Sequence, residues 1–127
     1  MDNWRTVIGL IATFGVLHPY LARIPGVFTH GESWFTSYLG TGLLALVYFG
    51  VFNAVLWGAI LFAIRSYRHT RSALWPALLG FSFPLIAHSQ VDLASDPQAA
   101  VLLILIPLYG LPLVFVGWLI GRWVDQR

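Results

Sequence analysis

Four long runs of apolar residues, at roughly 6–24, 36–64, 72–90 and 98–121, set the limits on what this chain can fold into. A helix needs about 20 such residues to cross the hydrocarbon of a bilayer, and all four runs meet that length. Only 9% of the residues are charged against 58% hydrophobic, too few to cover four such helices with a polar surface in water. The expected fold is therefore an all-α integral membrane protein. Residues 1–127 form a single domain of four transmembrane helices arranged as two hairpins. The first run resembles a signal peptide only superficially, because no small-residue cleavage site precedes "RIPGVF", and it is read as a retained helix.

The arginines orient the hairpins. Arg5, Arg65, Arg68, Arg71, Arg122 and Arg127 fall on one side of a four-span arrangement, and Arg23 falls on the other. Cytoplasmic loops carry the excess of basic residues, so both termini are expected inside, in a bacterial-type inner membrane. The aromatic residues agree with this independently. Trp4, Trp75, Trp118 and Trp123 lie near the inner boundary, and Tyr20, Trp34 and Tyr38 near the outer one, where amphipathic rings are favoured.

Composition also excludes several functions. Seven arginines, no lysine and five acids give a scattered net charge of +2, which makes no nucleic-acid surface. The absence of cysteine rules out disulfides, thiolate metal sites and a cysteine nucleophile together. Enzyme signatures do not occur either. "GESW" lacks the second glycine of a nucleophile elbow, and "LGTGLL" is neither a P-loop nor a dinucleotide fingerprint. The grouping of His88, Ser89 and Asp92 is local and brings no oxyanion site with it.

Packing surfaces are the most legible property of the chain. At 100° per residue, Gly50, Asn53, Ala54, Trp57 and Gly58 share one arc of the second span, forming a small-residue ridge beside an amide. Gly117 and Gly121 offer a second close-approach ridge in the fourth span. Pro107 and Pro112 deprive the carbonyls of Leu103 and Leu108 of helical donors, and Pro76 and Pro84 disturb the third span, so spans three and four are expected to be Pro-kinked.

One chemical constellation remains. His18 and His88 each fall in the outer half of a span, with Arg23, His30, Glu32, Asp92 and Asp96 on the same side. Three readings stay open. His18 and His88 would ligate a haem iron with Arg23 near the propionates. Alternatively, His18, His30 and His88 with Glu32 or Asp92 would hold zinc or copper. In the third, each imidazole only reaches the interface or a backbone carbonyl, and no cofactor is present. The leading functional expectation is an accessory or structural subunit that packs against other transmembrane helices, in a homo- or hetero-oligomeric complex within membrane lipid. The alternatives are a His-ligated haem or metal protein in electron transfer or metal handling, and a small oligomeric channel, transporter or immunity-type protein.

Overall fold

Asn3 opens the first helix, its side chain accepting a hydrogen bond from the Thr6 amide at 3.2 Å. This supplies a partner that a first helical turn otherwise lacks. In the computed structural model, which describes residues 3–39, 43–93 and 98–127, helix α1 then runs Trp4–Leu21. The stretch between the first two apolar runs, read as a connection in the sequence, is largely helical. Helix α2, Ile24–His30, carries Pro25 in its first turn, where a missing N–H is tolerated. Gly31 ends it at φ 83°, a backbone region that favours glycine, and α3 follows at Glu32–Leu39.

Helix α4 runs Leu43–Ile64, so the run expected as one helix over 36–64 is distributed between α3 and α4, with residues 40–42 outside the described residues. A 3-10 turn at Thr70–Ala73 leads into α5, Leu74–Gln90. Helix α6, Ala99–Asp125, runs through Pro107 and Pro112 and continues past its expected end at 121. Among the described residues every regular element is helical.

Helices α1, α4, α5 and α6 pack side by side. Gly15 faces Trp57 and Tyr20 faces Phe49, so α1 and α4 run antiparallel. Gly80 meets Val114 and Gly117 meets Pro76, which makes α5 and α6 antiparallel as well. Glycine sets how closely these helices approach. A Cβ on Gly80 would lie 2.6 Å from Val114, one on Gly110 2.7 Å from Leu56, and one on Gly117 2.6 Å from the Pro76 backbone. One core cluster gathers Ile11, Leu56, Ile60, Phe81 and Val114; a second gathers Tyr20, Tyr38, Phe49, Leu103 and Ile106.

Beside this apolar core, several polar residues are buried while large apolar ones are exposed. His18, Arg23, Asn53, Ser72 and His88 are buried, while Leu10, Val51, Phe62, Ile86 and Phe115 are exposed. Among the described residues two segments, Trp4–His30 and Val101–Asp125, are long and apolar enough to cross a membrane, and Phe49–Ile64 is a shorter apolar helix. Only 33% of the apolar window in each long segment is buried inside the protein, so most of its greasy surface faces outward.

Candidate functional site

The buried polar residues converge at the end of the bundle where α1 finishes and α5 finishes. His18 lies in the last turns of α1, and its Nδ1 is 2.9 Å from the Gly15 carbonyl. A carbonyl only accepts, so Nδ1 carries the proton and Nε2 presents a lone pair. His88 lies in the last turn of α5 with its Nδ1 3.0 Å from the Tyr38 hydroxyl. The two rings stand edge to face, centroids 5.6 Å apart, and both residues are fully buried. Phe81 packs 5.2 Å from His18, and Phe49 6.3 Å from His88. Neither Nε2 has a hydrogen-bond partner among the described residues, and the same holds for Asn53 Oδ1 and Trp57 Nε1.

Arg23 is the other fully buried group here. Its Nε and one terminal nitrogen both donate to the Trp34 carbonyl, at 2.9 and 2.6 Å, and the latter nitrogen also donates to Ser37 Oγ at 3.1 Å. The remaining nitrogen donates to the His88 carbonyl at 3.3 Å and to the Val91 carbonyl. A guanidinium carries five N–H donors, and these five contacts account for all of them. Its Cζ also lies over two rings, 3.9 Å from the Trp34 centroid and 4.2 Å from that of Tyr38. Arg23 thus fastens α3 to the end of α5, and no donor is left for a propionate.

Of the residues the sequence singled out, the structure brings together His18, His88 and Arg23. His30 is exposed, hydrogen-bonded to Thr29 at 2.8 Å, with its ring tilted against Trp34 at 4.2 Å between centroids. Glu32 is exposed in the first turn of α3, Asp92 is half-buried just after α5, and Asp96 lies outside the described residues. Among the described residues no three His, Asp or Glu side chains gather as a metal-holding group. His88 reaches neither the interface nor a backbone carbonyl with its Nδ1, the contact being to a side-chain hydroxyl. The helix carries it inward onto Tyr38, whose place in an aromatic belt gave no sign of this partnership.

The packing residues divide as clearly. Gly117 and Gly121 are both filled, Gly117 by Pro76 and Gly121 by Tyr67 and the Ser72 carbonyl. Asn53 does not lie with the glycine ridge of α4; it is buried on the inner face with Leu56 and Ile60. Gly50, Ala54 and Gly58 are only half-buried, and a Cβ at Gly50 or Gly58 would meet nothing within 4 Å.

At the opposite end, the arginine-bearing segments meet. Trp4, Arg65 and Tyr67 line one groove between α1 and α4. Asp125 accepts from the Arg68 and His69 amides, each at 2.8 Å, and from Ser72 Oγ at 3.0 Å. Tyr67 donates to the Trp118 carbonyl at 3.0 Å, and burial, reinforced by the Asp125 charge and opposed by Arg122, pushes its hydroxyl up to about 12. No known protein family, curated protein or solved structure matches the chain.

Proposed function

We propose that the chain is a four-span membrane protein with both termini cytoplasmic, whose role is to hold other transmembrane helices against the outer face of α4. The topology reading rests on the arginine asymmetry together with the outward apolar and inward polar distribution. Spans three and four are expected to bend at Pro84, Pro107 and Pro112.

One observation carries the functional reading. Gly15, Gly80, Gly110, Gly117 and Gly121 are all closed by neighbours in this chain, whereas Gly50 and Gly58, on one ridge of α4 with Ala54, open onto empty space, as the isolated Gly9 of α1 also does. Val47, Val51 and Val55 on the same helix are exposed beside them. Small residues in lipid let backbones approach and gain dispersion contacts, and here that surface is left for another helix. The chain has no cysteine, so Ala54→Cys supplies a unique thiol. Mild oxidation in membranes is expected to cross-link Ala54→Cys to itself or to a partner, and to leave the exposed α6 position Leu102→Cys unlinked. Equal behaviour of the two would remove the basis for this reading.

A second reading is favoured by the His18–His88 pair. Ligating histidines usually donate their other ring nitrogen to a carbonyl or a hydroxyl-bearing group, as the Gly15 and Tyr38 contacts allow here, and both Nε2 atoms are unpartnered among the described residues. A metal between two imidazoles at about 2 Å from each nitrogen separates the ring centroids by roughly 6 Å, close to the 5.6 Å found. Against it stands the Arg23 guanidinium, hydrogen-bonded to the His88 carbonyl and repelling a second cation. An absorption spectrum and metal analysis of the purified protein test this reading directly.

A further inference from the structure

Arg65 closes the end of an apolar groove of about 620 Å³ between α4 and α6. The walls are Phe62 and Ala63 from α4 and Leu111 and Phe115 from α6, and the mouth is formed by Arg65, Ser66 and Trp118. Ser66 Oγ accepts from Trp118 Nε1 at 2.9 Å, which fixes the indole across the mouth. One turn further along α6, the Arg122 guanidinium lies 5.7 Å from the Trp118 ring centroid. The groove therefore has a greasy length and a cationic end, where Arg65, one residue past α4, lies in the lining and Arg122 of α6 stands just outside it against the Trp118 ring. Asp125, the acid nearest in sequence to Arg122, directs its oxygens elsewhere, to the Arg68 and His69 amides and Ser72 Oγ.

We infer that this groove seats one anionic phospholipid, an acyl chain lying against Phe62, Leu111 and Phe115 and the phosphate held between Arg65 and Arg122. Charge complementarity selects the occupant. An apolar peptide helix would leave two guanidiniums unanswered, and a free phosphate would leave the groove unfilled. Basic pockets between helices at the cytoplasmic surface are suited to anionic headgroups, because the same arginines that fix topology face that leaflet. The inference rests on the membrane reading proposed above, but not on the α4 docking surface.

Native mass spectrometry of the detergent-purified chain, titrated with phosphatidylglycerol or with phosphatidylcholine, tests it. Phosphatidylglycerol is expected to be retained at roughly tenfold lower concentration. The Arg65→Ala/Arg122→Ala pair should abolish that preference, Ala63→Phe should weaken both lipids by filling the groove, and Arg71→Ala, outside the groove, should change nothing. Circular dichroism and monodispersity confirm that each variant is folded. Equal retention of the two lipids, or an equal loss with Arg71→Ala, overturns the inference in favour of diffuse surface charge. Competition by millimolar inorganic phosphate does the same in favour of a free-anion site. Failure of the membrane reading shows itself separately, as protein that leaves the membrane fraction on alkaline washing without detergent.

Discussion

His18 on α1 and His88 on α5 hold their rings 5.6 Å apart, edge to face, in full burial, with each Nδ1 turned away onto its own partner. Removing one of those partners isolates the effect. Tyr38→Phe keeps the ring that stacks on Phe49 at 4.8 Å but leaves His88 Nδ1 buried without its hydroxyl. The expected loss is about 1–3 kcal/mol, read as a lower midpoint of thermal unfolding in detergent. An unchanged midpoint would mean that His88 finds another partner at no cost.

Arg23 should be the least replaceable polar residue. Arg23→Lys keeps the charge but offers three donors on one atom where five in a planar fork now reach Trp34, Ser37, His88 and Val91. Arg23→Ala takes this donor from the buried His88 and Val91 carbonyls, while the Trp34 carbonyl keeps the Ser37 hydroxyl, and roughly 3 kcal/mol is expected. The order of stability should be Arg23, then Lys, then Ala, with α3 becoming protease-sensitive before the rest of the bundle. If Arg23→Ala unfolds at the wild-type midpoint, the clamp has no energetic role.

The sequence pattern carried the helices well because apolar length and helix breakers are local properties. Pro25 and Gly31 bracket α2 as its first-turn proline and its end, but seven residues are too short to register as a span. Arg23 was visible as the one arginine set apart from the other six, and His18 and His88 as ionisable groups within apolar runs. What each of them touches was not. The Arg23 contacts to His88 and Val91 span more than 60 residues, and no periodicity encodes a contact between helices that are distant in sequence. Asn53 shows the limit of a helical wheel. It stands at the edge of the Gly50 and Gly58 arc on the side of Leu56 and Ile60, so packing that buries those two residues buries Asn53 and leaves the glycines outside.

That division predicts opposite outcomes for two glycines. Gly117→Leu places a side chain against the Pro76 backbone, which cannot yield, so the isolated chain should lose stability by a few kcal/mol. Gly58→Leu meets nothing within 4 Å and should leave the unfolding midpoint unchanged while reducing the Ala54→Cys cross-link several-fold. Loss of stability from Gly58→Leu, with cross-linking intact, would place the ridge inside the fold instead.

Asp125 gives a graded test of the arginine-rich end. An acid in the last turn of a helix faces the negative end of the macrodipole, so its position in α6 needs another reason. Its hydrogen bonds supply one, since Oδ2 accepts from the Arg68 amide while Oδ1 accepts from the His69 amide and Ser72 Oγ, pinning the turn before α5. Asp125→Asn with its carbonyl oxygen in the Oδ1 place keeps His69 and Ser72 and puts a donor opposite the Arg68 amide. Asp125→Ala removes all three bonds. Amide exchange is therefore expected to quicken at Arg68 alone in the first variant and at both Arg68 and His69 in the second, with the amides of α5 beyond Pro76 unaffected. Equal exchange at both sites in wild type and Asp125→Ala would show that the turn is held by its own backbone and that the carboxylate is incidental.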